Sequence, residues 1–327
     1  GYSSLSNALM FKVPPIPKYD FGISTYIKNH TFKTLDSLIL YVQSIDNDID
    51  KLFAIFCYAA FNISYDTEAY FTDKRSSSTL EEVFETKKAV CQGYSVFFKE
   101  MSKKVNIDSN RITIKSYSNY AKGYSYNPLN PPKDPKSNHA AVFISIDNVP
   151  FICEPTWGSG HLTREGQFEF NFKPNMFLIP IYQTLNSHFP IGKSAKLLPF
   201  NFTYEDFLKS VITHSDKLIK TETIPFCIFD CETGFLEQTY SCLSPIENVH
   251  FNLFLRDGEN FNKLSDDFCS FRIVQYSLKK HPDRCRFKTY ITFPEIGFYK
   301  VEMFINYHCE LTYYVNSLKS GTISLID

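Results

Sequence analysis

The chain has 327 residues, a formal net charge of -1 and 43% hydrophobic residues, enough apolar material for sizeable cores and, at about 100–200 residues per domain, for roughly two domains. So even a charge balance gives no overall pull on nucleic acid or anionic membranes, and no apolar run approaches the ~20 residues of a membrane-crossing helix. The nine cysteines are odd in number and irregularly spaced, as expected of free thiols in a reducing compartment; with no signal-peptide pattern in the first fifteen residues, a cytoplasmic protein is expected.

Past a Pro-rich entry at 13–20, the first sixty residues read as helical. Residues 34–42 place Leu35, Leu38, Leu40 and Val42 behind a Thr34 cap. Residues 46–60 repeat apolar side chains at helical spacing: Ile49, Leu52, Phe53, Phe56 and Cys57. The low-complexity run KRSSST at 74–79 reads as an exposed loop, and Thr79 opens a short helix by a capping box with Glu82. Residues 87–105 read as a buried helix through Tyr94, Phe97, Phe98 and Met101.

From residue 110 the period changes to alternation, and RITIKSYS reads as a strand. A loop rich in proline follows, a candidate lid or partner-binding segment at 128–138. AAVFIS and VPFIC then read as two strands joined by a turn at Asp147 and Asn148. If Ile146 pairs with Val149, paired positions sum to 295, so Glu154 neighbours Ala141 and His139 falls near Thr156. Residues 168–180 read as irregular, and 203–213 as a helix capped by Thr203 with Asp206. Beyond about 223, short alternating runs punctuated by turns predict an all-β sandwich.

Three residues carry the chemistry. Cys91 stands at the start of a helix, where free N–H groups and a partial positive charge of ~0.5 e favour thiolate over thiol. The same N–H groups could hold a developing oxyanion, which makes Gln92 a candidate donor, with Tyr65 and Asn62 as upstream candidates. His139 enters its strand from the loop, and Glu154 follows on the paired strand, close enough to orient an imidazole through one ring nitrogen. Trp157, the single Trp of the chain, is expected to wall the site, and Gly93 to allow close approach. Cys227 and Cys231 are spaced like half a zinc site, but no matching pair follows, so no metal is expected. No clustered acidic loop suggests calcium.

The runs AVCQGYSVFFKEM, YAKGYSYNP and NHAAVFISIDNVPFICEPTWGSG together resemble the core of the transglutaminase-like superfamily. The stretch from 34 to 66 and the segment LNSHFPIGKSAKLLPFNFTYEDFLKS are similar to its kyphoscoliosis-peptidase branch. The resemblance covers about residues 33–215 and implies a Cys nucleophile, a His base and an acidic orienter, carried by Cys91, His139 and Glu154, with no cofactor. Two positions depart from the family pattern. Glu154 stands where Asp is usual, and Ala141 and Val142 stand where Trp-Asn usually follows His-Ala, which trims one wall of the cleft.

The expectation is therefore an α+β chain: a papain-like transglutaminase core at 1–222, then an Ig-like β-sandwich at 223–327. Its expected function is cysteine-dependent acyl transfer on protein amides, peptidase first, with crosslinking transglutaminase or glutamine deamidase sharing the same acyl-enzyme. The resemblance also implies a rival reading, an inactive adaptor for cytoskeletal or other proteins, associated with the cytoskeleton.

Overall fold

The computed structural model describes residues 15–321 except 73, 164, 199–200, 211, 214–219, 222–227, 243–247, 276–284 and 306–307. The expected domain boundary at 222/223, Cys227 and the first fourteen residues lie outside the described residues. By backbone contacts the chain divides into two units: residues 1–126 with 132–202, and residues 203–327 with 127–131.

The first unit opens with three helices, α1 (Gly22–Asn29), α2 (Leu35–Gln43) and α3 (Asp48–Asn62). Each of the last two starts where a side chain satisfies an orphan N–H. Thr34 and Ser37 close a reciprocal capping box, and Asn47 accepts from the Ile49 N–H at 2.8 Å. Every residue of α3 from Lys51 to Ala60 is buried, as expected for a helix packed on all sides. After it come β1 (Ser64–Tyr65), α4 (Thr67–Thr72), α5 (Leu80–Thr86), β2 (Lys88–Ala89) and α6 (Cys91–Lys104). The buried helix expected over 87–105 thus begins four residues late. Lys87 takes a left-handed φ of 54° that ends α5, and Lys88 and Ala89 pair in parallel with Ser64 and Tyr65.

The sheet of this unit contains β3 (Ile112–Ala121), β4 (His139–Ile146), β5 (Val149–Cys153), β8 (Ile179–Pro180) and β9 (His188–Pro190), in the order β8-β5-β4-β3-β9. Between β5 and β8 lie α7 (Pro155–Ser159) and a hairpin of β6 (Gly160–Leu162) with β7 (Phe168–Phe170). The β4–β5 ladder keeps the expected register, from Ile146↔Val149 to Val142↔Cys153. Asp147 and Asn148 both have positive φ, 48° and 67°, the turn that matches the twist of a two-residue hairpin. β4 is buried on both faces. Val142, Ile144 and Ile146 join the large core with α3 and α6, while Ala141 and Phe143 join a smaller cluster with Tyr117 and Ile152. Helices that precede an antiparallel sheet make this an α+β unit.

The second unit begins with α8 (Tyr204–Lys209), capped by Thr203 and Asp206. This helix is shorter than the expected 203–213, because Ser210 is extended and Ile212 and Thr213 form β10, paired with Thr312 and Leu311. Then follow β11 (Lys220–Thr221), β12 (Ile228–Cys231), β13 (Phe235–Cys242), β14 (Val249–Asp257), β15 (Asn260–Lys263), β16 (Cys269–Gln275), β17 (Cys285–Thr292), β18 (Gly297–Ile305) and β19 (His308–Ser317). One sheet runs β10-β19-β18-β14-β15 with β12 alongside β19, and the other runs β11-β13-β17-β16. Alternate residues of β18 (Tyr299, Val301, Met303, Ile305) are buried, the period-two signature of a strand with one face in a core. Among the described residues no helix is long and apolar enough to cross a membrane.

Candidate active site

Cys91 is the first residue of α6. Its approach is fixed by a chain of side-chain bonds: the Ser76 hydroxyl accepts from the Val90 N–H at 3.2 Å and donates to Asp66 at 2.9 Å. The run KRSSST, expected to be an exposed loop, therefore has Ser76 and Ser77 partly buried against the helix start. Gly93 shows why. A Cβ there would lie 2.5 Å from the Ser77 carbonyl oxygen and 2.6 Å from the Ala89 Cβ, so the glycine admits the Ser77 backbone. The N–H groups of Gly93 and Tyr94 turn back on the Val90 carbonyl, and the first N–H groups of the helix have no partner within it.

His139 is delivered by Asn138, whose side chain accepts from the Ala121 N–H at 2.7 Å and donates to the Ala121 carbonyl at 3.2 Å. That pair of bonds extends the β3–β4 ladder by one side chain and pins the end of the proline-rich loop. The His139 Nε2–H then donates to Glu154 Oε1 and Oε2 at 2.9 and 3.1 Å. With Nε2 engaged, Nδ1 is the ring nitrogen left for Cys91, whose thiol this imidazole favours in its charged form. Glu154 is wholly buried and His139 is 9% exposed, whereas Cys91 is partly exposed. A reagent from solvent thus meets the sulfur before the groups behind it.

The electrostatics follow from this packing. Burial works against the Cys91 thiolate, but the hydrogen bond and charge of His139, with the Ala140 N–H, outweigh it and hold the thiol below its ordinary value. Cys57, Cys153 and Cys269 go the other way, pushed up by burial. Burial also opposes the charged forms of His139 and Glu154, yet each is overcome by its partner. Beside the carboxylate and the sulfur His139 rises to about 10, and beside His139 and His188 the Glu154 carboxyl falls to about 2.

Of the expected oxyanion donors, Tyr65 lies opposite Ala89 in the β1–β2 pair, two residues before Cys91. Its phenol is held far above the ordinary range, by burial first and the Cys91 charge next, so it remains a donor. The Asn62 amide donates one N–H to the Tyr58 carbonyl one turn back at 3.1 Å. Gln92 is exposed on the first turn of α6. Trp157 packs on the imidazoles, with ring centroids 5.4 Å from His139 and 4.5 Å from His188.

His188 is the residue that sequence reasoning missed. Its Nε2–H donates to Glu154 Oε1 at 3.0 Å, and it is 1% exposed. The only signal was the HFP motif, quoted as part of a resemblance without a role. Ligand atoms of His139, Glu154 and His188 lie within 4.8 Å of one another, a grouping that could hold a metal ion, although here their donors and acceptors are already paired. Cys231, half of the discounted zinc spacing, hydrogen-bonds the Phe235 carbonyl at 3.5 Å.

Residues 39–149, which include Cys91 and His139, match the family model described as Transglutaminase-like superfamily. The matched stretch, about a third of the chain, is therefore similar to the transglutaminase-like core. The chain has curated relatives on the kyphoscoliosis-peptidase-like branch. It is 26% identical over 158 residues to Kyphoscoliosis peptidase of Mus musculus, covering 48% of this chain and 23% of that protein. Against Kyphoscoliosis peptidase of Homo sapiens it is 26% identical over 179 residues, covering 54% and 26%. The matched part thus spans about a quarter of each relative's length. Among solved structures, S-layer protein SbsC domains 4 and 5 align at 7% identity over 65% of this chain and 72% of that one, with a TM-score of 0.18 that carries no structural argument.

Proposed function

We propose that this chain is a cysteine-dependent acyl-transfer enzyme acting on protein amides. Cys91 is the nucleophile, His139 the base that takes its proton and later returns one to the leaving amine, and Glu154 the group that orients and charges His139. The observation that carries this is the His139 imidazole, bonded through Nε2 to a buried carboxylate and lowering the pKa of the partly exposed Cys91 thiol. The thiolate attacks the amide carbonyl, the amine leaves with the proton from His139, and water cleaves the thioester. Tyr65 and the first N–H groups of α6 are the oxyanion donors. Hydrolysis is proposed over crosslinking because both curated relatives are named peptidases.

The second unit we read as an Ig-like β-sandwich; its core draws on both sheets, with Tyr240, Phe287 and Ile291 from one and Phe251, Leu253, Val301 and Tyr313 from the other. A protein or peptide is the proposed substrate, cytoskeletal proteins are candidate partners, and the cytoplasm is the proposed compartment. No cofactor is needed for the chemistry as written.

The test is the rate of Cys91 alkylation by iodoacetamide against pH, followed site by site by mass spectrometry, with His139→Ala as control. Fast modification below about pH 7, lost in the variant, is expected of a thiolate–imidazolium pair. Slow modification that rises only near about pH 8.5 and ignores His139 would overturn the proposal.

A further inference from the structure

The carboxylate behind His139 is shared. Glu154 is wholly buried, and its Oε1 accepts from two imidazoles, His139 at 2.9 Å and His188 at 3.0 Å. The two histidines come from strands β4 and β9, with β3 between them, and Glu154 directly follows β5, on the far side of β4. His188 has both nitrogens engaged, since its Nδ1 meets the Ser187 hydroxyl at 2.7 Å. Trp157 packs on both rings, so the three polar groups sit under one apolar cover.

We infer that His188 is a positioning residue which holds the Glu154 carboxylate against His139, and that Glu at 154 and His at 188 act as one unit. The inference rests on the thiolate–imidazolium reading of Cys91 and His139. A buried carboxylate needs donors on both oxygens. His139 spans both, so alone it leaves the group free to swing about the one Nε2–H. The bond from His188 removes that freedom, keeps the carboxylate on Nε2 and so keeps Nδ1 for the sulfur. The Glu side chain carries the carboxylate from just past β5 to both imidazoles.

The titratable and charged groups around the pair are Cys91 and Tyr65 on the sulfur side, Tyr117 on β3, Cys153 at the end of β5, and Glu154 with His188 behind. Without His188 the carboxylate supports the imidazolium less well, His139 loses its proton at lower pH, and the upper limit of the ion pair moves down. Iodoacetate, an anionic reagent that depends on the neighbouring imidazolium, reads this limit as the alkaline limb of Cys91 alkylation.

In the full chain, His188→Gln is expected to move that limb down by about one pH unit. Ser187→Ala, a milder change that spares the imidazole, is expected to move it the same way by less. Glu154→Asp is expected to reproduce the His188→Gln shift, and the double variant to add nothing to it. A uniformly slower rate with an unmoved limb in His188→Gln and Ser187→Ala would overturn the inference while leaving the Cys91–His139 pair intact. If the wild-type protein itself lacks a low-pH alkylation phase, the underlying reading fails first. One equivalent of zinc retained by the purified protein and lost in His188→Gln would also overturn it, because the three side chains would then be metal ligands.

Discussion

Glu154 is a wholly buried charge, and the two imidazoles that face it offset the cost of its burial. That makes the pair a stability element as well as a chemical one, with a definite pH signature. Burial alone would raise the Glu154 carboxyl, but His139 and His188 pull it from 4.5 down to about 2, so its contribution is complete above 4.5 and lost as pH falls toward about 2. Burial alone would lower His139, but Glu154 and Cys91 raise it from 6.5 to about 10, so its contribution is complete below 6.5 and lost as pH rises through about 10. Urea midpoints measured across this range are expected to be highest between pH 4.5 and 6.5. Glu154→Gln keeps the shape and removes the charge. It is expected to destabilise by about 3–5 kcal/mol near pH 6, the usual cost of breaking one side of a buried pair, and to flatten both flanks. A variant whose urea midpoints follow the same pH profile as wild type would show that the pair contributes nothing to folding.

At the scale of elements, the position of Cys91 depends on how α6 begins. The helix has no side-chain cap at Val90; instead the Ser76 hydroxyl accepts from the Val90 N–H and the Ser77 carbonyl packs against Gly93. Gly93→Ala must push against backbone on one side and the Ala89 side chain on the other, at 2.5 and 2.6 Å. Such overpacking is expected to cost about 1–3 kcal/mol, seen as a lower urea midpoint together with slower Cys91 alkylation. Ser76→Ala removes the link from Asp66 to Val90 and is expected to cost about 1 kcal/mol. Unchanged midpoints in both variants would mean that the 74–79 run is a passive surface loop after all.

These elements divide by how local their causes are. The meeting of His139 with Glu154 is legible from Asp147 and Asn148, because a two-residue turn fixes the register of everything that follows. The start of α6 at Cys91 rather than near Lys87 is less legible, since Lys88 and Ala89 pair with a strand more than twenty residues upstream. Likewise, nothing near Ile212 and Thr213 announces the tertiary pairing with β19 that cuts short the expected helix. His188 is the extreme case, 34 residues from Glu154 and joined to it only through the order of strands in the sheet. Tyr65 and Asn62 were equal candidates by position, until the β1–β2 pairing set one beside the Cys91 helix and the other bonded to the backbone of α3.

For the whole molecule the argument turns on where the site's support comes from. Cys91, His139, Glu154, Trp157 and His188 all belong to the first unit. So do the large cluster around α3 and α6 and the smaller one around Tyr117 and Phe143. The groups that shift the Cys91 thiol, His139, the Ala140 N–H and Glu154, are in that unit too. A fragment of residues 15–202 is therefore expected to unfold cooperatively in urea and to keep the fast alkylation of Cys91 below about pH 7. A fragment that folds but alkylates only near about pH 8.5 would mean that residues 203–327 contribute to the thiolate environment. A fragment that does not fold would mean that the clusters of the first unit are insufficient alone.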